Sequence, residues 1–282
     1  MSGPGRLSVV GTPIGNLEDA SSRMARVLAE ADVVYCEDTR RTRKLLSALG
    51  IGAPRLVRLD ANNEEHAAAK VAAAVAAGMK AAVVSDAGMP TVSDPGAAVV
   101  RAVAGAGLAV EVVPGPSAAV AALAVSGLPA SQFRFFGFLP RKGAARQQAI
   151  GEIAQSPVTS VVFEAAGRVG ATIGDLAAVC APERALVAAR ELTKLHEEVW
   201  RGTVEEAVLW VAGTEPRGEW VLLVEGCRQR PAASEEEILG ALRARLAAGM
   251  GRREAVTEIA SELGVPRRTV YALSLRADGE PP

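Results

Sequence analysis

The sequence has few of the residues that build metal sites or disulfide frameworks. Its 282 residues include three cysteines, two histidines and 4% aromatic residues. Cys36, Cys180 and Cys227 form no C-x-x-C pair, which favours structural thiols in a reducing cytoplasm over a redox or metal role. His66 and His196 are isolated from each other and from the cysteines, so no zinc or other metal site is expected.

Long apolar runs and an excess of one charge are also missing. No segment reaches the roughly 18 consecutive apolar residues that span a membrane, and the N-terminus lacks a signal-peptide pattern, so we expect a cytoplasmic protein. Lys and Arg number 31 against 32 Asp and Glu. A general polyanion binder usually has a basic excess, so any nucleic-acid contact here is expected from local patches.

The chain is rich in apolar residues, at 49%, and it alternates strand-like and helix-like segments. This alternation up to about residue 115 predicts an α/β fold with a largely parallel sheet covered by helices on both faces. Predicted strands in this part are Leu7–Val10, Val33–Cys36, Leu56–Arg58, Ala81–Ser85 and Val110–Val113. Predicted helices lie near 20–30, 40–49, 63–77 and 96–106.

After Pro114 the rhythm changes, and the pattern predicts three domains: 1–116, 117–230 and 231–282. A helix near 117–126 precedes further strand-like runs, which predict a mixed sheet with fewer helices. These runs are Arg134–Phe138, Ser160–Glu164, Ala185–Arg190, Val199–Arg201 and Trp220–Val224. The tail predicts three helices, 235–248, 252–263 and 267–275, with the spacing of a helix-turn-helix module.

Segments rich in Gly, Pro and polar residues follow the predicted strands. In open α/β sheets, ligands bind at the carboxyl ends of the strands. The segment 11–17, GTPIGNL, matches neither G-x-G-x-x-G nor a P-loop, so it is either a tight turn or a ligand loop. Asp86 lies between an apolar strand and a Gly-containing turn, which favours ligand contact. The segment 113–119 is either a ligand loop or a stiff linker.

Two further polar positions have structural alternatives. Asp94-Pro95-Gly96 is typical of a helix start, with Asp94 as the N-cap. The segment 37–44, EDTRRTRK, places two carboxylates before four cations. Asp38 is either the cap of the next helix or a group that orients RNA or accepts a proton, while the cations either form a solvated face or hold RNA phosphates.

The tail carries its own local basic excess. Residues 241–276 contain seven arginines and three glutamates. These arginines form either a solvated face or a nucleic-acid contact. No G-x-S-x-G motif is present, so a serine hydrolase is not supported.

Six segments resemble one family in order and spacing: VGTPIGNLED, YCEDTRRTRKLL, VVSDAGMPTVSDPG, VVPGPSA, FRFFGFLPRK and RELTKLHEEVWRGT. On these motifs the chain is similar to the ribosomal RNA small subunit methyltransferase I family of the tetrapyrrole methylase superfamily. The resemblance covers residues 6 to about 224, and the tail matches the family's small C-terminal domain. One departure occurs: the family reads F-E-S-P-x-R where this chain has FEAAGR at 163–168.

The resemblance implies a two-domain fold with S-adenosylmethionine in the cleft between domains, a homodimer, and methylation of a cytidine ribose 2′-hydroxyl in the decoding region of 16S rRNA. The residues that it implies for the cofactor are Pro13, Asp86, Gly88, Met89, Gly115, Ser117, Ala118, Phe163 and Glu164. Candidates for the base or cation that assists the hydroxyl are Glu37, Asp38 and Lys194, and the sequence does not choose among them.

The RNA side is expected to be basic. Candidate RNA contacts are Arg40, Arg41, Thr42, Arg43, Lys44, Arg141, Lys142, Arg168, Arg190, Arg252, Arg253, Arg267 and Arg268, with Glu191 beside them. Two alternatives are retained. One keeps the fold but methylates a carbon of a tetrapyrrole, and the other makes the chain a ligand-sensing DNA-binding regulator.

Overall fold

The computed structural model describes residues 5–52, 54–215, 217–227 and 233–276. The chain divides into two compact units, Met1–Gly226 and Cys227–Pro282. The boundary expected at 230/231, and the end of the predicted tail domain, lie outside the described residues.

The first sheet contains five strands, and all its neighbouring strands run parallel in the order β3-β2-β4-β1-β5. Its strands are β1 (Arg6–Val10), β2 (Val33–Cys36), β3 (Arg55–Arg58), β4 (Lys80–Val84) and β5 (Ala109–Val113). Central strands β1, β2 and β4 are largely buried runs of Val and other small residues, as expected for strands covered on both faces.

Helices cover both faces of this sheet. The helices are α1 (Ser22–Ala29), α2 (Thr39–Ala48), α3 (Glu64–Ala76) and α4 (Ala97–Gly105). Val71 of α3 and Val99 of α4 pack in one core cluster with Leu7. Leu28 of α1 and Leu46 of α2 pack in a second cluster. This layered arrangement confirms the predicted α/β fold with a parallel sheet.

The second sheet is mixed, as predicted, with strand order β6-β7-β10-β8-β9. Its strands are β6 (Phe133–Phe138), β7 (Thr159–Ala165), β8 (Ala185–Arg190), β9 (Glu198–Thr203) and β10 (Glu219–Val224). Only β6 and β7 pair in parallel, while β7, β10, β8 and β9 pair antiparallel in that spatial order.

The expectation of fewer helices around this sheet is wrong. Besides α5 (Ala118–Ser126), the structure has α6 (Ala144–Gln155), α7 (Val169–Ala177) and α8 (Val204–Ala212). Glycines at 151, 170 and 174 lower the intrinsic helix propensity of α6 and α7 and masked them in the sequence. Packing against the sheet stabilises both helices, because Ile153 of α6 and Ile173 of α7 are fully buried in one cluster with Leu222.

The second unit is a small helical bundle with its own core. Its helices are α9 (Glu235–Ala247), α10 (Arg252–Leu263) and α11 (Arg267–Ser274). Ser234 begins α9 with a reciprocal capping box to Glu237. Gly264 ends α10 in a left-handed conformation, and Leu242, Ile259 and Val270 form the core. No helix among the described residues is long and apolar enough to cross a membrane.

Candidate functional site

The strand order of the first sheet brings the Gly- and Pro-rich turns together. Strands β4 and β5 flank β1, and β2 lies on the other side of β4. The carboxyl ends of parallel strands meet at one edge of the sheet, so the turns after β1, β2, β4 and β5 are neighbours there. The chain also reverses its winding direction beside β1 and β4, which is where ligands bind in sheets of this kind.

Close backbone contacts join three of these turns. Thr12 and Gly88 form an antiparallel bridge, in which the Thr12 N–H donates to the Gly88 carbonyl at 2.9 Å and the Gly88 N–H donates back at 3.1 Å. A Cβ atom on Gly11 would lie 2.6 Å from the Met89 sulfur and 2.7 Å from the Gly115 backbone. Glycine is therefore required at 11 by contact alone.

A cavity of about 420 Å³ lies against these turns, within the usual range for a small-molecule site. Its walls come from both sheets. The residues around it are Ile14, Glu37, Arg41, Asp86, Ala87, Gly88, Met89, Val92, Ser93, Asp94, Ser117, Ala118, Phe138, Phe163, Glu164, Ala165, Ala166, Leu192, Gly218, Glu219, Trp220 and Val221.

Most of the residues expected to bind the cofactor line this cavity. They are Asp86, Gly88, Met89, Ser117, Ala118, Phe163 and Glu164. Pro13 and Gly115 do not line it. Gly115 instead lies behind the wall, against Gly11.

The second sheet contributes an aromatic wall backed by a buried carboxylate. The rings of Phe138 and Phe163 meet edge to face at 5.7 Å between centroids. Glu164 is 1% exposed; it accepts hydrogen bonds from the Thr172 hydroxyl at 2.6 Å and the Ala165 N–H at 3.0 Å, and the Arg168 Nε lies 3.2 Å away. The motif departs from the family at Ala165, Ala166 and Gly167, yet Glu164 and Arg168 on either side still form an ion pair. The turn between them contains a short 3-10 helix at Ala166–Arg168.

Three carboxylates, Glu37, Asp86 and Asp94, also line the cavity, and the pKa values of Glu37 and Asp94 are raised. Burial and then the charges of Glu37 and Asp86 raise the pKa of Asp94 to about 6, although a hydrogen bond from Ser85 lowers it. Burial and then the charge of Asp86 also raise the pKa of Glu37, against the lowering effect of Arg41. Asp86 is held by the Asp38 N–H at 3.2 Å and by the Arg41 guanidinium at 3.3 Å.

Asp94 differs from its sequence interpretation. Helix α4 begins at Ala97, and its N-cap is Gly96, whose N–H donates to Glu64 at 2.7 Å. The prediction that Asp94 caps α4 is therefore wrong, and its carboxyl lines the cavity instead. The D-P-G pattern is typical of a helix start and therefore favoured the capping role in the sequence. The signal for a cavity position was that Asp94, like Asp86, lies in the segment that follows β4.

Asp38 has the geometry of a helix cap. Its carboxylate accepts from the Arg40 N–H at 2.7 Å and pairs with the Arg40 guanidinium at 2.9 Å. These bonds to Arg40 hold the pKa of Asp38 well below its usual range. Asp38 does not line the cavity, so its contacts favour the capping alternative over that of a base.

Lys194 lies in an ionic bridge. Its ammonium group is 2.7 Å from Glu191 and 2.9 Å from Glu219. Burial lowers the pKa of Lys194, but the hydrogen bonds to Glu191 and Glu219 outweigh it, so the pKa is raised overall. A base role would need the opposite shift, and the geometry favours a permanently charged Lys194.

Strained backbone marks two loops at the cavity. Among the described residues, the non-glycine residues with positive φ are Thr91, Ser93, Glu191 and Thr193. The first pair lies on either side of Val92 and precedes Asp94, and the second pair lies on either side of Leu192. Val92, Asp94 and Leu192 line the cavity. Such conformations cost about 1–3 kcal/mol each and concentrate at functional sites.

The cations of α2 separate into two groups. All four are exposed, but only Arg41 lines the cavity, whereas Arg40, Arg43 and Lys44 do not. Thr42, an expected RNA contact, is 4% exposed and donates its hydroxyl to the Asp38 carbonyl at 3.2 Å. This placement gives Thr42 a structural role inside the helix.

The expected RNA contacts on the second sheet also separate. Arg141 and Lys142 are exposed. Arg168 pairs with Glu164 and donates to the Leu139 carbonyl at 2.7 Å, and Arg190 pairs with Glu198 at 2.9 Å over the Trp220 ring. Both of these arginines are engaged inside the protein. No group of three or more His, Cys, Asp or Glu that could hold a metal occurs among the described residues.

The second unit has a separate cleft of about 570 Å³, formed by α10 and α11. The arginines expected to contact RNA here all line it. The residues around this arginine cleft are Arg252, Arg253, Val256, Arg267, Arg268 and Tyr271.

The fold and the cavity define a class. The family model of tetrapyrrole (corrin/porphyrin) methylases matches residues 6–208. Solved structures agree: the methyltransferase CobJ is 21% identical with a TM-score of 0.59, covering 80% of this chain and 96% of that chain. A Thermus thermophilus uroporphyrin-III C-methyltransferase complexed with S-adenosylhomocysteine is 23% identical with a TM-score of 0.54, covering 78% of this chain and 97% of that one.

Curated relatives narrow the class. Ribosomal RNA small subunit methyltransferase I of Synechocystis sp. is 40% identical over 98% of this chain and 99% of the relative. The proteins of the same name from Xylella fastidiosa and Mycobacterium tuberculosis are each 42% identical, over 96% and 98% of this chain and 99% and 96% of the relatives. The chain belongs to the ribosomal RNA small subunit methyltransferase I family, which confirms the resemblance of its motifs.

Proposed function

We propose that this chain transfers the methyl group of S-adenosylmethionine to RNA of the small ribosomal subunit. The observation that carries the proposal is the cavity at the carboxyl edge of the first sheet, with Arg41 of the basic helix α2 in its wall. Relatives named for this reaction are about 40% identical over nearly the full chain. A cytoplasmic location and a homodimer are part of the proposal.

The cavity walls suit S-adenosylmethionine, which carries an adenine ring, a cationic sulfonium and an amino acid end. Met89 and the Phe138–Phe163 pair offer an apolar wall for a flat ring. The carboxylates of Glu37, Asp86 and Asp94 give the cavity a negative potential that favours a cationic ligand. When bound, the cofactor supplies an activated methyl group, so the protein mainly binds, aligns and desolvates.

The acceptor oxygen is a poor nucleophile and must lose a proton. For the family's acceptor, a ribose 2′-hydroxyl of a cytidine in the decoding region of 16S rRNA, the hydroxyl proton would pass to a carboxylate of the cavity. Asp94, whose pKa is about 6, combines this position with a basicity near the working pH. Glu37 shares the wall and a raised pKa, whereas the pKa shifts of Asp38 and Lys194 disfavour both as bases.

The tetrapyrrole alternative rests on the fold alone. The related tetrapyrrole enzymes among the solved structures are 16–24% identical, which carries the architecture but not the acceptor. The basic helix α2 favours RNA.

Methyl transfer tests the proposal directly. Small subunits from cells lacking this gene, incubated with the protein and methyl-labelled S-adenosylmethionine, should incorporate label into 16S rRNA. Primer-extension mapping should then locate a 2′-O-methyl cytidine in the decoding region. Label in an added uroporphyrinogen and none in RNA would replace the proposal with the tetrapyrrole alternative.

A further inference from the structure

Four arginines line the arginine cleft of the second unit, and no acidic residue is among the residues that line it. None of the six glutamates of α9 and α10 lines it. Glu258 and Glu262 both pair with Arg245, and Glu235 pairs with Arg276. Within the part of the chain that the structure describes, no ion pair is formed by Arg253 or Arg268. Their charges are therefore available to a polyanion.

The geometry of the cleft is fixed by the helices. Arg267 donates to the Thr257 hydroxyl at 2.7 Å, which joins α11 to α10 across the cleft. Tyr271 follows Arg267 and Arg268 by four and three residues, so all three side chains lie on one face of α11. This face is exposed, while Val270 and Leu273 of the same helix are buried in the core.

Tyr271 is the aromatic residue among those that line the cleft. It is 53% exposed, yet it belongs to a chain with few aromatic residues, and arginines surround it. An exposed ring flanked by cations is the arrangement on which unpaired bases stack while phosphates are neutralised. A duplex hides its base faces, so this arrangement favours single-stranded RNA over double-stranded DNA.

We propose that the arginine cleft binds a single-stranded RNA segment, with a base stacked on Tyr271 and phosphates held by Arg253 and Arg268. The inference rests on the proposed function, to which it adds a second RNA site besides the cavity. Loss of this site weakens RNA binding and leaves cofactor binding in the cavity unchanged.

Fluorescence anisotropy of the full-length protein tests this site, with a labelled single-stranded RNA of about 12 nucleotides as the probe. Tyr271→Ala should weaken binding by roughly 5- to 150-fold, the worth of one stacked base, and Tyr271→Phe should bind as the wild type does. Arg268→Ala should reduce the slope of log affinity against log salt by about 0.7. Arg276→Ala is the matched control, because Arg276 is paired with Glu235 outside the cleft.

Three results overturn the inference: Tyr271→Ala binding within about twofold of the wild type, Tyr271→Phe as weak as Tyr271→Ala, or a DNA duplex bound more tightly than the RNA. Thermal unfolding of each variant should give the wild-type melting temperature, because the substituted side chains are exposed. Methylation of small subunits by the wild type separates the two proposals. If the wild type methylates them and the cleft variants bind RNA normally, the inference alone fails.

Discussion

Gly11 and Gly115 meet so closely that neither can carry a side chain: a Cβ on Gly11 would lie 2.7 Å from the Gly115 backbone, and one on Gly115 would lie 2.7 Å from the carbonyl carbon of Gly11. Gly11→Ala would also place its methyl 2.6 Å from the Met89 sulfur. The turns after β1, β4 and β5 would have to separate. We expect a loss of stability of about 1–3 kcal/mol and at least tenfold weaker S-adenosylmethionine binding, as measured by calorimetry.

Gly105→Ala is the control for this substitution. A Cβ at Gly105, in the last turn of α4, meets nothing within 4 Å. Alanine there should stabilise the protein by about 0.5 kcal/mol, because it restricts the unfolded chain, and should leave ligand affinity unchanged. If Gly11→Ala behaves like this control, the turns after β1, β4 and β5 do not pack against one another as closely as described.

Asp94→Asn should increase stability while it reduces activity. The pKa of Asp94 is raised to about 6 in the folded protein from its ordinary value of 3.8, so the folded state binds its proton more tightly than the unfolded state does. Stability therefore falls as pH rises from about 4 to about 6, and the cost persists above that range. At pH 8 the variant should have a higher melting temperature than the wild type. At pH 4 the two melting temperatures should be the same.

Activity gives the second half of this test. The wild-type rate should fall on the acid side with an apparent pKa near 6, and Asp94→Asn should remove that limb together with most of the rate. Asp19→Asn is a surface comparison, since Asp19 is exposed and does not line the cavity. A variant with unchanged rate and pH profile would exclude Asp94 from proton transfer.

The architecture was predictable because each local signal agreed with the others. Buried runs rich in β-branched residues form β1, β2 and β4, and glycines with positive φ (Gly50, Gly78 and Gly107) follow the ends of α2, α3 and α4. Strand order explains the convergence of the turns, and strand order is decided by long-range pairing, such as that of Val9 with both Val83 and Val112. The periodicity of the sequence does not identify a cofactor or the residues that bind it, and these expectations came from the family resemblance.

The cavity was less predictable because several of its walls come from residues with ordinary local roles. Trp220 and Phe138 are strand residues whose faces depend on the register of the second sheet. Asp94 imitates a helix cap in sequence, and only the start of α4 at Ala97 excludes that role. The sequence offers Lys194 as a candidate base because it does not show the two partners of this side chain. In the fold, Glu219 of β10 and Glu191 of the same loop both pair with Lys194.

Lys194→Met should lower the rate without changing its pH dependence. The lysine neutralises Glu191 and Glu219, and its stem packs where a Cβ on Gly15 would come within 2.4 Å. Removal of the ammonium group leaves the carboxylates of Glu191 and Glu219 without a cation between them. Their repulsion should loosen the loop around Leu192, so KM should rise. Lys194→Arg keeps the charge and should retain more activity. A pH profile that loses its acid limb in Lys194→Met would assign the base to Lys194 after all.

Glu164→Ala should be among the most damaging substitutions at the cavity. The buried carboxylate accepts from Thr172 and Ala165 and pairs with Arg168, while Thr172 also accepts from the Arg146 guanidinium at 2.9 Å. Alanine would leave these donors without their acceptor, at a cost of about 2–3 kcal/mol in the free energy of unfolding. Chemical denaturation should show this as a lower midpoint with an unchanged slope.

Glu164→Gln separates charge from hydrogen bonding in that cluster. The amide oxygen still accepts from Ala165 and Arg168, and the Thr172 hydroxyl can rotate to accept from the new amide, so the loss should be about 1 kcal/mol. Thr172→Val should cost a similar amount, because it removes only the link between Arg146 and Glu164. If Glu164→Ala and Glu164→Gln are equally destabilised, the ion pair with Arg168, rather than the hydrogen bonds, holds this wall of the cavity.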